Sequence, residues 1–375
     1  MQYSTAFAKW VMEILNVPHA EPIATTSLPT EKQLEILTTL YREVFGTSPT
    51  EQTALKGDAS SRCLYRFRTG NNSVIGVYGP NQSENNAFLS FTNTFHRMHL
   101  PVPLLLIANE TGYLYLLEDL GDETLFKKLI RLREAESGRF PYATVTTDYE
   151  EAVTVLTEFQ IQAGTQIDRT VCYQGDVFDE AAWNRDLAYF LDKFAELLSP
   201  GFTERTHVES EFIYLLKILS DYPNKHFLYR DFQSRNIMVT SNGLRFLDYQ
   251  SGRLGNVAYD ITSLLFDARA DLPKDFRLQM FELHTKLMVE SGIPETELRS
   301  AFLPFSLLRI LQALGSYGNN GICNGHREHL ASIPFGLRNA LSVIAEDKRL
   351  SGTLQSLTDL LRRIAQEKSW EQVKS

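Results

Sequence analysis

The spacing of apolar residues changes once along the chain, near residue 120. Between Leu55 and Leu120, short apolar runs alternate with polar residues, whereas after Gly121 apolar residues recur every three or four positions. Alternation with a period of two is typical of strands, and a spacing of three or four is typical of helices. We therefore predict an α+β fold, in which a small antiparallel sheet is followed by a larger and mostly helical lobe.

The elements can be located by the same spacing and by turn residues such as Gly70-Asn71-Asn72. The predicted strands are residues 63–68, 73–78, 104–107 and 113–117. The predicted helices are residues 3–15, 31–45, 84–100, 149–165, 180–198, 207–220, 274–291, 294–314 and 335–346. Short β-type runs also occur at 227–239 and 244–247, on either side of Asn242-Gly243, and they predict a hairpin inside the helical lobe.

Composition restricts the classes of partner. The chain has 375 residues and a formal net charge of −9, which excludes a broad basic surface for duplex nucleic acid or for an anionic membrane. No apolar run approaches the roughly 18 residues of a spanning helix, and the first residues lack the pattern of a signal peptide. Three widely spaced cysteines imply no disulfide framework. We expect a cytoplasmic protein that binds neither nucleic acid nor membranes.

The segment around the predicted hairpin carries the chemistry. It reads Tyr229-Arg-Asp231-Phe-Gln-Ser-Arg-Asn236, and the following apolar run ends at Asp248. Because a hairpin brings the ends of its strands together, Asn236 and Asp248 are expected to lie side by side. Oxygen ligands of this kind suit Mg²⁺, and Asp231 would then be placed to accept a proton from a hydroxyl group. The spacing Arg-Asp-x-x-x-x-Asn matches the catalytic loop of kinases.

These residues resemble a known family. Gln233–Asn236, Leu247-Asp248-Tyr-Gln and Gly252–Asp260 are similar to motifs of the aminoglycoside phosphotransferase superfamily, which also contains the choline kinases. Gly57–Arg66 and Leu116–Gly121 resemble the nucleotide loop and the hinge of the sugar anomeric kinases of cell-wall recycling, which act on N-acetylmuramate and N-acetylglucosamine. The likeness extends over about residues 50–345 and implies a bilobed, protein-kinase-like fold.

The resemblance also implies roles. It implies that Asp231 is the catalytic base, that Asn236 and Asp248 bind Mg²⁺, and that Asp260 braces the catalytic loop. ATP is the implied phosphoryl donor and a small molecule, most often a sugar or amino sugar, the implied acceptor. In this division of the chain, residues 1–48 are an N-terminal helical extension, 49–120 the nucleotide-binding β lobe, and 121–375 the catalytic and substrate-binding helical lobe.

The β lobe departs from the kinase pattern, because no lysine is present near Val77 or Tyr78, where a phosphate-binding lysine is usual. Arg62 or Arg66 could supply that charge, since a guanidinium binds phosphate well; ordinary solvated arginines are the alternative. The other residues predicted to contact the nucleotide are Gly57, Ser60, Ser61 and Glu118. Lys56 is expected to be solvated.

Two questions stay open at this level. The acceptor could be an amino sugar, an aminoglycoside or a choline-type molecule: Asp267 and Asp271 would suit a cation, whereas Arg253 and Arg269 would suit an acidic sugar. The missing lysine also admits a nucleotide-binding pseudokinase. The spacing of Cys323, His326 and His329 would allow a Zn²⁺ site, but a fourth ligand is not evident.

Overall fold

A computed structural model gives the structure of the protein and describes residues 28–55 and 61–372. In chain order, the elements are α1 (Thr30–Phe45), β1 (Glu51–Leu55), β2 (Cys63–Thr69), β3 (Asn72–Tyr78), α2 (Gln82–Arg97), β4 (Leu105–Ala108), β5 (Leu114–Glu118), α3 (Leu125–Ala135), α4 (Tyr142–Glu158), α5 (Glu180–Phe190), α6 (Glu196–Leu198), α7 (Arg205–Ser220), β6 (His226–Leu228), β7 (Ile237–Thr240), β8 (Gly243–Phe246), β9 (Arg253–Gly255), α8 (Ala258–Leu265), α9 (Lys274–Glu290), α10 (Glu295–Tyr317), α11 (Arg327–Glu346), α12 (Lys348–Ser351) and α13 (Gln355–Glu367). The π-helical turns Phe159–Ala163, Leu191–Ala195 and Gly318–Cys323 extend α4, α5 and α10.

The first five strands form one antiparallel sheet in the order β1-β2-β3-β5-β4. A tight turn joins β2 to β3, where Thr69 pairs with Asn72 and Gly70 has a φ of 57°. Such a positive φ suits glycine, which has no Cβ to collide with the backbone. The sheet therefore begins as the hairpin that the turn residues predict.

The two faces of the sheet are covered by different helices. On one face, Tyr65 and Phe67 pack against α1, where Leu37 and Tyr41 are fully buried. On the other face, Val77 and Tyr115 pack against α2. The assignment follows the alternation of side chains along each strand. Residues with even numbers on β2, such as Arg66, share the α2 face.

An aromatic cluster connects α2 with the helical lobe. The ring of Phe95 lies 5.0 Å from Phe159 and 5.1 Å from Tyr249, and Phe88 stacks on Tyr249 at 5.1 Å. Aromatic pairs at these distances stabilise beyond the area they bury. The helical lobe also has a hydrophobic core of its own, which contains residues of α5, α7, α10, α11 and α13. Because α2 packs through this cluster on Tyr249, the residue that follows Asp248, it fixes the first lobe beside the predicted site.

The predicted fold class is confirmed: a small antiparallel sheet is followed by a larger helical lobe. Within residues 28–55 and 61–372, no helix has the length and apolar content that a membrane crossing requires. The helix predicted at 3–15 lies outside the described residues. The division at residues 48 and 120 stays a prediction.

Some predicted boundaries were wrong. α4 begins at Tyr142 rather than at 149, because its first two turns are mostly polar and carry no apolar period. α11 begins at Arg327 rather than at 335, since Pro334 lies inside the helix instead of at its start. No element was predicted for β1, α3 or α13. β1 has no buried residue, so its sequence shows no alternation.

Candidate active site

Asp231 lies in a loop between β6 and β7, the loop that carries the kinase-like spacing. Its side chain is 34% exposed, so a small molecule can reach the carboxylate. The Nη2 atom of Arg309, from α10, lies 3.9 Å from its Oδ1 atom. Arg309 is buried, and its Nε donates to the Ser263 hydroxyl at 2.8 Å. A cation fixed in this way helps to hold the Asp231 carboxylate in place.

The hairpin β7–β8 brings Asn236 and Asp248 together, as its strand ends predict. Ile237 pairs with Phe246 in the ladder, and the Leu247 N–H donates to the Asn236 carbonyl at 2.9 Å. The side-chain Nδ2 of Asn236 then donates to the Asp231 carbonyl at 2.9 Å and to Oδ2 of Asp248 at 3.2 Å. All three residues therefore lie at one edge of the hairpin.

This edge has the chemistry of a divalent-cation site. Burial and the neighbouring Asp231 carboxylate raise the pKa of Asp248, so a positive charge there would offset an unfavourable concentration of negative charge. The amide nitrogen of Asn236 makes both hydrogen bonds, which leaves its oxygen as a possible ligand. Carboxylate and amide oxygens are the ligands that Mg²⁺ takes in proteins. The residues present therefore fit Mg²⁺.

Asp260 is fully buried near the start of α8. It accepts hydrogen bonds from the N–H groups of Tyr229 and Arg230, at 2.7 and 2.9 Å. Arg230 has a φ of 81°, a conformation that a non-glycine residue adopts only when its surroundings hold it there. Burial raises the pKa of Asp260 to about 7, although the two N–H donors act in the opposite direction. This geometry is what the predicted bracing role requires.

A chain of polar contacts connects the β lobe with Asp248. Arg62 forms an ion pair of 3.1 Å with Glu84, in the first turn of α2. Gln250 donates to Glu84 at 3.2 Å and to Asp248 at 2.8 Å. In protein kinases a lysine of the sheet makes an equivalent pair with a glutamate of the following helix. Arg62, just before β2, makes a pair of this kind with the first turn of α2.

Arg66 has a different environment. Its guanidinium donates to both oxygens of Asp119, at 2.7 and 2.9 Å, and to both oxygens of Asp122, at 3.1 and 2.9 Å. Burial alone would raise the pKa of Asp119, but hydrogen bonds from Arg66 and Ser73 lower it below its ordinary value. The two arginines thus contact different carboxylates. Arg66 therefore holds the segment after β5, and a contact of Arg62 or Arg66 with the nucleotide stays a prediction.

Other residues predicted to contact the nucleotide are placed only in part. Gly57 and Ser60 lie in residues 56–60, outside the described residues, as does Lys56. Ser61 is exposed just before β2. Glu118 ends β5, where its N–H donates to the Leu104 carbonyl at 2.9 Å and its carboxylate accepts from the Leu104 N–H at 3.2 Å. Their nucleotide contacts stay predictions.

Arg230 lines a cavity of about 380 Å³. Arg230 pairs with Asp186 through two hydrogen bonds of 2.8 Å, and its guanidinium stacks 4.6 Å from the ring centroid of Phe178.

The sequence did not predict Glu84, Gln250, Arg309 or the ion pair of Arg230 with Asp186, because each contact joins segments far apart in the chain. The one available signal was Glu84, an acidic residue in the first turn of the helix that follows β3.

The residues considered for alternative ligands are engaged elsewhere. Asp267 accepts a hydrogen bond from Ser234, and Asp271 pairs with Arg338. Arg269 pairs with Glu328 at 3.1 Å. Among the described residues, no group of three or more histidine, cysteine, aspartate or glutamate side chains could hold a metal ion, so Cys323, His326 and His329 do not form a site of that kind.

Comparison with known proteins agrees with this geometry. The sequence matches the phosphotransferase enzyme family (APH) over residues 53–288, which include Arg62, Asp231 and Asp248. The N-acetylmuramate/N-acetylglucosamine kinase of Pseudomonas aeruginosa is 26% identical over 321 residues, which are 83% of this chain and 89% of that protein. The predicted resemblance is confirmed.

Solved structures share the fold at low identity. Choline kinase LicA from Streptococcus pneumoniae superposes with a TM-score of 0.56 at 12% identity, over 86% of this chain and 99% of that one. The ternary complex of APH(2″)-IIa with streptomycin and ATP superposes with a TM-score of 0.50 at 13% identity, over 81% and 99%. The chain therefore belongs to the phosphotransferase enzyme family and is a kinase that transfers a phosphoryl group to a hydroxyl acceptor.

Proposed function

We propose that this kinase uses ATP and Mg²⁺ to phosphorylate a hydroxyl of an amino sugar of the N-acetylmuramate or N-acetylglucosamine type. The observation that carries the proposal is the meeting of Asp231, Asn236 and Asp248 at one edge of the hairpin β7–β8. The name of the relative from Pseudomonas aeruginosa supports the acceptor class.

Each residue at the edge has one task in this proposal. Asp231 accepts a hydrogen bond from the acceptor hydroxyl and takes its proton as that oxygen bonds to the γ-phosphorus of ATP and the bond to the leaving ADP breaks. Asn236 and Asp248 would hold Mg²⁺, which supplies neutralisation of charge on the phosphate oxygens. Asp260 keeps the backbone before Asp231 in its strained conformation. Most of the acceleration then comes from positioning and from electrostatic stabilisation.

Arg62 is the cation that we assign to the ATP phosphates, with Glu84 orienting its guanidinium. Residues 49–120 would then form the nucleotide-binding lobe and residues 121–375 the catalytic and acceptor-binding lobe. The presence of this arginine weakens the case for a pseudokinase, which rested on the missing lysine. Three free cysteines favour a cytoplasmic setting.

The cationic acceptors have less support. A choline-type or aminoglycoside substrate needs free carboxylates or an aromatic cage near the reacting hydroxyl, and both Asp267 and Asp271 already have partners. The amino-sugar proposal needs no such residues.

The test is an acceptor screen monitored by ³¹P NMR. Wild-type protein with ATP and Mg²⁺ is incubated with N-acetylmuramate, N-acetylglucosamine, choline or an aminoglycoside, with Asp231→Asn as the control. We expect a new phosphate ester only with the amino sugars and only with the wild type. An ester formed with choline or the aminoglycoside alone would overturn the acceptor class, and none with any acceptor would overturn the proposed activity.

A further inference from the structure

The cavity beside Arg230 has an excess of positive charge. Its charged lining residues are Arg185, Arg230, Arg253 and Asp186. Because Asp186 is already paired with Arg230 at 2.8 Å, two guanidinium groups in the lining remain without a carboxylate. A cavity with this balance favours an anionic ligand.

Arg253 makes the strongest case, because it is 3% exposed. Its Nη1 donates to the Gln174 carbonyl at 2.7 Å and its Nη2 to the Gln174 side-chain oxygen, and it stacks 5.4 Å from Phe178. Across residues 28–55 and 61–372, it has no carboxylate within ion-pair distance. Burial and the charge of Arg230 lower the pKa of Arg253 to about 10. A buried charge with only neutral acceptors is costly, and a bound anion would offset that cost.

Arg185 lies at the exposed side of the same cavity. In the described part of the chain, its guanidinium has no ion pair or hydrogen bond. It is therefore free to bind a ligand, whereas Arg253 is fixed in advance. Guanidinium groups bind carboxylates through pairs of parallel hydrogen bonds.

Two features of the cavity lining relate it to the candidate reaction centre. The Tyr173 hydroxyl, in its lining, lies 3.0 Å from the Ser251 hydroxyl, and Ser251 follows Gln250, which bonds Asp248. Arg230, in the same lining, directly precedes Asp231 in the chain. The cavity lining is therefore adjacent to the segments that carry Asp248 and Asp231.

We infer that this cavity is the acceptor site and that Arg185 and Arg253 recognise a carboxylate substituent of the acceptor sugar. The inference rests on the proposed function, because it places an amino-sugar acceptor at this kinase's site. It adds that the enzyme distinguishes acidic from neutral acceptors through these two arginines. An acceptor without the carboxylate would fill the same cavity but leave both guanidinium groups without an anion.

The test separates charge from size by using N-acetylmuramate and its methyl ester. For each enzyme form, kcat/KM is measured with both acceptors, and the ratio of acid to ester is compared. Because both values come from one preparation, loss of folded protein cancels in the ratio. The forms are the wild type, Arg185→Gln, Arg253→Gln, Arg253→Lys and, as the matched control, Arg269→Gln, whose arginine pairs with Glu328 outside the cavity lining.

We expect the wild type to prefer the acid by about tenfold or more, the range of hydrogen bonds to charged groups. Arg185→Gln and Arg253→Gln should bring the ratio toward one, Arg253→Lys should restore part of the preference, and Arg269→Gln should leave it unchanged. No preference in the wild type, or a wild-type ratio retained in both glutamine variants, would overturn the carboxylate site.

If the wild type phosphorylates neither acceptor, the proposed acceptor class fails, and calorimetric titration decides the carboxylate site without turnover. The site would be supported if the acid binds the wild type and loses affinity in both glutamine variants, while the affinity for the ester is the same in all three proteins. Acid that binds no better than the ester, or does not bind, would overturn it.

Discussion

The guanidinium of Arg62 is connected to the proposed metal-binding edge through Glu84 and Gln250. Its pair with Glu84, and the bonds from Gln250 to Glu84 and Asp248, give it a fixed position. Fixed donors bind phosphate better than mobile ones, because less side-chain entropy is lost on binding.

Replacing Arg62 by alanine should therefore weaken ATP binding. We expect a loss of about 10- to 100-fold, the range for hydrogen bonds to charged groups, and only partial rescue by Arg62→Lys. Calorimetric titration with Mg²⁺ and ATP measures the change. Arg68→Ala is the matched control, since Arg68 is an exposed arginine of β2, the strand that Arg62 directly precedes. Equal ATP affinities of the two alanine variants would remove Arg62 from the phosphate site.

At this scale the sequence identified residue types better than their partners. Asp231, Asn236 and Asp248 were brought together correctly, because hairpin geometry alone relates the last two. The partner of Arg62 could not be deduced, since Glu84 approaches it only when α2 packs on the sheet. The same limit explains Arg66, whose contacts with Asp119 and Asp122 depend on the path of the chain after β5.

Among the elements, α10 makes an unusually close approach to α5. A Cβ atom at Gly318, the first residue of the π turn after α10, would lie 1.7 Å from the carbonyl oxygen of Lys193. The neighbouring atom belongs to the backbone of another π turn, Leu191–Ala195, and cannot move away as a side chain could. Glycine at this position allows the two turns to pack.

Gly318→Ala should therefore destabilise the fold by about 1–3 kcal/mol or more, the usual range for overpacking. Gly336→Ala is the matched control inside α11, because its Cβ would meet the movable end of the Leu314 side chain at 2.7 Å. We expect a clearly smaller change there. Urea unfolding of both variants measures the difference, and equal free energies of unfolding would contradict the proposed contact.

Elements were predictable where their apolar residues are buried. The four predicted strands end within one residue of the observed β2 to β5, since each alternates between two helix-covered faces. β1 was not predicted because it is exposed along most of its length. α13 was not predicted, although Leu357, Leu360, Leu361 and Ile364 carry the helical spacing that indicates it.

In the whole molecule, a buried histidine connects three segments of the helical lobe. Nε2 of His284, from α9, lies 3.0 Å from the side-chain oxygen of Gln160, and Gln160 donates to the Val257 carbonyl at 2.9 Å. Because Gln160 accepts at that oxygen, Nε2 carries a proton. Burial lowers the pKa of His284 to about 3, from an ordinary value of 6.5.

This histidine should make stability depend on pH. Below pH 6.5, His284 binds a proton in the unfolded chain but not in the folded protein. The contribution of the neutral ring to the free energy of unfolding is therefore complete above pH 6.5 and is lost as the pH falls toward 3. Between pH 7.5 and 5, the advantage of the wild type over His284→Gln should shrink by about 2 kcal/mol. Urea unfolding of both proteins at the two pH values measures it; parallel pH profiles would contradict the neutral, buried ring.

The central claim concerns the edge formed by Asp231, Asn236 and Asp248, and two isosteric variants separate its parts. Asp231→Asn removes only the group that takes the proton, so ATP binding should persist while turnover falls by about 10²–10⁴-fold. Asp248→Asn removes the charged metal ligand, so the effect of Mg²⁺ on ATP binding should disappear.

The most direct measurement is therefore calorimetric titration of ATP into the wild type and both variants, with and without Mg²⁺. The account predicts that Mg²⁺ strengthens ATP binding in the wild type and in Asp231→Asn to the same extent, and that it has no effect in Asp248→Asn. An unchanged effect of Mg²⁺ in Asp248→Asn would show that this edge does not hold the metal.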